Sequence, residues 1–164
     1  MIGECVKLTE GTASERRLSL VIHCENALPA LLGDEMRLKQ IVLNLVSNAI
    51  KFTLPGGEVS VGAESDVSGA LHLIVRDNGI GMAPEMIPIA LEPFRQLGSP
   101  RARRFEGSGL GLSLVKSLAE MHQAELRIQS EIGIGTEVRV QFPVCRSLPF
   151  HRWASPQEQL AAAG

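Results

Sequence analysis

The segment from Asp34 to about Phe52 constrains this chain more than any other, because it reads as a helix with two different long faces. Asp34 is a side-chain acceptor suited to an N-cap, and no Gly or Pro follows until Pro55. Leu38, Ile41, Leu45, Ala49 and Phe52 recur at helical spacing and make a core-facing stripe. Gln40, Asn44, Asn48 and Lys51 recur at intervals of four, four and three, which places them on a second stripe. Asparagine is a mediocre helix former, so two on one stripe carry a modest propensity cost. The stripe can be a solvated face. It can equally be a recognition face, since an Asn carboxamide offers an oxygen to a metal and an amide to a phosphate. Magnesium prefers oxygens and keeps several waters, so one Asn oxygen with phosphate oxygens would suit it.

The remaining pattern is strand, helix, two strands, long loop, helix, two strands. Leu18–Cys24 alternates as a strand, and Pro55-Gly56-Gly57 is a turn. Strands are expected over Glu58–Glu64, Ala70–Arg76, Glu125–Ser130 and Thr136–Phe142, the last two joined at Gly133-Ile134-Gly135. This order predicts an α/β (α+β) two-layer sandwich, a mixed β-sheet with helices packed on one face. The expected divisions are an N-terminal segment at 1–17, ending a linker, one domain at 18–143, and a poorly ordered tail at 144–164.

Two glycine loops add chemistry. Asp77-Asn78-Gly79-Ile80-Gly81 follows an apolar strand. A carboxylate there can accept from an exocyclic amine such as that of adenine, and glycines permit close approach of a flat base. A simple turn is the competing explanation. Gly107-Ser108-Gly109-Leu110-Gly111 opens the second long helix, where free backbone N–H groups and the helix dipole favour an anion. It is neither a dinucleotide fingerprint nor a P-loop, because no strand leads into it and no Gly-Lys-Ser/Thr follows. A hinge is the alternative. The stretch from Met82 to Glu106 between the loops is long enough to be functional, and its Arg101, Arg103 and Arg104 could reach a terminal phosphate or form a solvated run.

In combination these segments closely resemble the motifs of sensor histidine kinases, in the family's order over roughly residues 18–143. Asp34–Thr53 resembles the asparagine box, Asp77–Met82 the first glycine box, Glu92-Pro93-Phe94-Arg95-Gln96 the phenylalanine box, and Gly107–Ser113 the second glycine box. Gly133-Ile134-Gly135-Thr136 resembles the late turn. The resemblance implies the Bergerat ATP-binding fold, with ATP and Mg2+ as cofactors. By the same resemblance Asn48 would be the metal ligand, with Asn44 beside it, and Lys51 would meet the phosphates; these three form the catalytic set. Asp77 would read adenine, Gly79, Gly81 and Met82 would line the base pocket, and Thr136 would lie nearby. Gly107, Ser108, Gly109, Leu110 and Gly111 would close the lid, and Phe94 would pack it against the body.

The related chaperone and topoisomerase ATPases place a water-activating glutamate where this chain has Asn44, which is a poor general base. The resemblance therefore implies phosphoryl transfer to a histidine rather than hydrolysis. None of His23, His72, His122 and His151 lies in a phosphoacceptor-type box. The acceptor is expected on a separate dimerisation domain, with a response regulator receiver downstream. A docking module without kinase activity, and an anti-sigma-factor-type serine kinase, are the alternatives. One departure is Gln123-Ala124, where the family carries Gly-Gly after the helix-ending histidine.

Composition sets outer limits. A net charge of -2 provides no basic field for nucleic acid. No apolar run approaches the roughly 18 residues of a membrane span. Cys5, Cys24 and Cys145 are too scattered for a disulfide or zinc framework and are expected as buried or half-buried thiols. The expectation is a cytoplasmic, monomeric domain without membrane contact, compatible with a membrane-anchored parent.

Overall fold

The structure, a computed structural model, describes residues 1–25, 27–95 and 109–148. Its elements are α1 (Ile2–Glu15), β1 (Ser19–Cys24), β2 (Ala30–Leu31), α2 (Glu35–Phe52), β3 (Glu58–Ser65), β4 (Leu71–Asp77), α3 (Ile87–Ala90), α4 (Gly111–Met121), β5 (Glu125–Glu131), β6 (Gly135–Phe142) and β7 (Ser147–Leu148). Five strands form one mixed sheet in the order β1-β3-β4-β6-β5. β1 and β3 are parallel because α2 crosses between them, while the other neighbours are antiparallel and joined by tight turns or by longer returns. In the β3–β4 turn, Asp66 Oδ1 accepts from the N–H groups of Ser68 and Ala70, which fixes the register.

The helices cover one face of the sheet, as expected for the two-layer sandwich. Ile41, Val42, Leu45 and Val46 of α2 meet Val59, Val61, Leu73, Val75, Val138 and Val140 of the sheet, with Val115 and Leu118 of α4 beside them. Each fully buried aliphatic side chain of this kind contributes roughly 1.5–3 kcal/mol. The core is aliphatic because the sequence is only 4% aromatic. Phe142, at 1% exposure, closes one end.

Three sequence expectations differ from the structure. Residues 1–17, expected as the end of a linker, are largely a helix packed against α2, with Cys5, Val6 and Ala13 buried. Tertiary burial overrides the poor propensity of Gly3, Thr9 and Gly11. Residues 144–148, expected as tail, form a 3-10 turn at Val144–Arg146 and then β7, which pairs antiparallel with β2. Residues 149–164 lie outside the described residues. Among the thiols Cys5 is buried, but Cys24 and Cys145 are exposed, contrary to expectation. Among the described residues no helix is long and apolar enough to cross a membrane.

Candidate functional site

α2 begins as its sequence dictates, with the Asp34 carboxylate accepting from the Arg37 N–H at 3.1 Å. Its second stripe is neither core nor open surface: Gln40, Asn44, Asn48 and Lys51 are all half-buried. Asn44 turns its amide back to the Gln40 carbonyl at 2.7 Å, which spends a donor within the helix. Asn48 makes no side-chain hydrogen bond among the described residues and lies against Gly111, the first residue of α4. A methyl group on Gly111 would come within 2.8 Å of Asn48 Nδ2, so a larger residue there would displace the Asn48 carboxamide. Leu110, before it, supplies no side-chain cap, so among the described residues no side chain caps the first N–H groups of α4 beside Asn48.

Lys51 sits in the last turn of α2, its Nζ 4.8 Å from the Phe52 ring centroid. Its ammonium is held below the usual lysine range, first by burial and then by the nearby Arg16 charge. Arg16, from the end of α1, donates to the Lys51 carbonyl at 3.0 Å and so caps the C-terminus of α2. The next carbonyl, that of Phe52, accepts from the Ile80 N–H at 3.1 Å. The asparagine helix and the first glycine loop are therefore joined directly.

Asp77 ends β4 on the helix-facing side of the sheet, the side shared by Leu71, Leu73 and Val75. Burial pushes its carboxyl up to about 6, opposed by the backbone N–H groups of Gly79 and Thr136. The Gly79 N–H reaches Asp77 Oδ1 at 2.9 Å. Gly81 has φ 61, and a Cβ there would fall on the Glu131 carbonyl oxygen, so the loop can pass the β5–β6 turn only with glycine. The loop is pinned to that turn by the Gly133 N–H on the Ile80 carbonyl at 2.9 Å and by the Met82 N–H on Ser130 Oγ at 2.9 Å.

The register aligns Asp77 with Thr136 and Thr136 with Ser130, making a polar row across β4, β6 and β5. Ser130 was not singled out in the sequence. Its signal was there, since it follows Leu126 and Ile128 on the inward face of β5, where a third apolar residue is expected. His122 was foreseen near the end of α4 but not as a bridge. Its Nδ1 faces the Leu118 carbonyl at 2.8 Å, and its Nε2 accepts from the Asp34 N–H at 3.2 Å. The α4 exit is thereby tied to the α2 start.

Not every expected site residue converges. Phe94 adopts φ 61 and is 76% exposed, so its ring stands away from the body rather than packing onto it, although its backbone lies against Gly109. Arg101, Arg103, Arg104, Gly107 and Ser108 lie outside the described residues.

A mixed sheet covered on one face, a half-buried Asp at a strand end and an asparagine helix against a glycine-opened helix define a nucleotide-binding ATPase fold. The chain belongs to the family of histidine kinase-, DNA gyrase B- and HSP90-like ATPases, which matches residues 33–146. It is 39% identical over 155 residues to the cell-division control histidine kinase PdhS of Brucella canis, covering 90% of this chain but 15% of that protein. The chain thus spans a small part of the length of these relatives. Full-length ShkA in complex with AMPPNP superimposes with a TM-score of 0.76 at 31% identity, over 87% of this chain and 29% of that one. The mycobacterial sensor histidine kinase MprB gives 0.71 at 27% identity, over 90% of this chain and 95% of that one.

Proposed function

We propose that this chain is the ATP-binding catalytic domain of a two-component sensor histidine kinase. It transfers the γ-phosphoryl group of ATP to a histidine on a separate dimerisation and phosphotransfer domain, from which a response regulator receiver takes it. The observation that carries this reading is the meeting of Asn48 with Gly111 at the start of α4, which no side chain caps among the described residues, while Asp77 lies half-buried at the end of β4. Asn48 and the helix N-terminus suit phosphates, and Asp77 suits an exocyclic amine. The complex of ShkA with AMPPNP supports the same assignment by analogy.

The residues fit a magnesium ion. Asn48 offers an uncommitted oxygen, and no group of three or more His, Cys, Asp or Glu among the described residues is placed to hold a metal alone. That donor set suits a hard ion completed by water and phosphate oxygens. When bound, the ion supplies charge neutralisation at the phosphates. This chain's residues hold and orient the nucleotide: Asp77 by accepting from the base, Asn48 by ligating the ion, Lys51 and the lid arginines by charge. Asn44 has no basic lone pair for activating water, which favours transfer over hydrolysis. Such a domain works in the cytoplasm as a monomer until docked on its phosphoacceptor.

The test is phosphotransfer from γ-labelled ATP to a supplied dimerisation domain of a close relative. Label on the acceptor histidine, dependent on Asn48, is the expected result. ATP binding without transfer to any such domain would instead favour a docking module.

A further inference from the structure

Two contacts fix a direction along α2. The first glycine loop abuts its C-terminal end, where the Phe52 carbonyl accepts from the Ile80 N–H. One turn back, Asn48 meets the start of α4. On the function proposed above, a nucleotide held by its base at Asp77 and by its phosphates at Asn48 points its terminal phosphate toward Asn44 and the N-terminal half of α2. Gln40 and Arg37 lie further along that line. At about 1.5 Å rise per residue, Gln40 is about 12 Å along the axis from Asn48 and Arg37 about 16 Å, beyond the reach of a shared metal ion. Arg37 Nη1 can only donate, and it lies 3.3 Å from Gln40 Oε1. The oxygen of the Gln40 carboxamide is therefore turned to Arg37, and its NH2 group is turned away. The neighbouring carboxylates are engaged elsewhere: Asp34 accepts from the Arg37 backbone N–H, and Glu35 pairs with Lys39. Among the described residues the Arg37 guanidinium makes no ion pair and the Gln40 NH2 meets no acceptor.

We infer that Gln40, oriented by Arg37, is a positioning residue for the phosphoacceptor protein, the two side chains together receiving a carboxylate of the incoming chain one helical turn beyond Asn44. The pair offers hydrogens only, from an amide and from a guanidinium that carries charge. That donor set suits a carboxylate, which accepts only and forms the stronger, charge-assisted bonds. Gln40 is half-buried and Arg37 exposed, so the pair is open to a protein surface without unfolding any part of α2. This inference rests on the reading of the chain as a histidine kinase catalytic domain, and it names the surface by which that domain takes its protein substrate.

The experiment is transfer from γ-labelled ATP to a supplied dimerisation domain of a close relative, run with the full chain at saturating ATP over a range of acceptor concentrations. Calorimetric titration with ATP accompanies it. Gln40→Ala should raise KM for the acceptor roughly tenfold, with kcat at saturating acceptor and ATP affinity unchanged. Gln40→Glu keeps the shape but opposes a carboxylate, and should raise KM at least as far. KM of the unaltered chain should rise with salt, and Arg37→Ala should lose most of that dependence. Ala and Glu are good helix formers, and the Gln40 backbone carbonyl that holds Asn44 survives either change, so the fold and the phosphate site are kept. An unchanged KM in Gln40→Ala or in Gln40→Glu, or a fall in ATP affinity in Gln40→Ala, would overturn the inference. The two levels separate cleanly. ATP binding by the unaltered chain without transfer to any supplied domain sinks the kinase reading and the inference with it. Transfer by the unaltered chain beside an unchanged KM in Gln40→Ala removes the inference alone.

Discussion

Asp77 should cost the empty domain stability, and replacing it with Asn should return some. Burial raises its carboxyl from the usual 3.8 to about 6. For an acid whose folded value is raised, the folded state binds the proton more tightly than the unfolded chain. The resulting stabilisation is fully present below about pH 4 and is lost as pH rises through about 6. Two units at about 1.36 kcal/mol each set an upper bound near 3 kcal/mol. Residual solvent contact at this half-buried side chain reduces that to roughly 1–2 kcal/mol. Asn keeps an oxygen that can accept from the Gly79 N–H, so little is forfeited in the exchange. At pH 8, Asp77→Asn should therefore be more stable by this amount, an advantage that falls to about a third of its value near pH 4.5. Urea unfolding of both proteins at the two pH values measures it. Equal advantage at both values, or a less stable variant at pH 8, would refute the reasoning. ATP affinity should fall in the same variant, which would show the carboxylate retained for binding at a cost in stability.

Other expectations follow from the same geometry. Gln123 occupies the left-handed position of a Schellman motif at φ 57, with its own N–H on Glu120 and the Ala124 N–H on Ala119. Gln123→Gly should stabilise by roughly 0.5–1 kcal/mol after the unfolded-state entropy of glycine is subtracted, a rise of about 2 °C in Tm readable by calorimetry. His122→Ala removes both bridging contacts and leaves a cavity under Phe142, costing about 2–4 kcal/mol in urea unfolding; a loss under ~1 kcal/mol would contradict the bridge. Asn48→Ala should keep the fold but abolish the magnesium-dependent gain in ATP affinity, and a gain equal to that of the unaltered chain would remove Asn48 as the ligand.

The parts of this protein that were legible in the sequence are those whose signal is local. The Asp34 cap, the core stripe of α2 and its asparagine stripe depend on a 3.6-residue period that any reader of the chain can count. The alternating strands and their glycine turns are likewise short-range, and they sufficed for the mixed sheet with one covered face. The helix over residues 2–15 was missed although Ile2, Cys5, Val6, Thr9 and Ala13 recur at helical spacing. Its glycines and hydroxyl residues weaken local propensity, and only packing on α2 decides the matter. The pairing of β2 with β7 joins residues over a hundred positions apart, and two-residue strands carry no period at all. The site divides the same way. Local sequence marked Asn48, Asp77, Gly79, Gly81 and Gly111 as candidates, because chemistry and chain geometry coincide within each motif. Tertiary structure alone put Ser130 beside Thr136 and Asp77, His122 on Asp34, and Arg16 on the end of α2. A hydrogen bond depends on distance in space, and strand register and helix packing set that distance between residues whose own neighbours in the chain say nothing of one another.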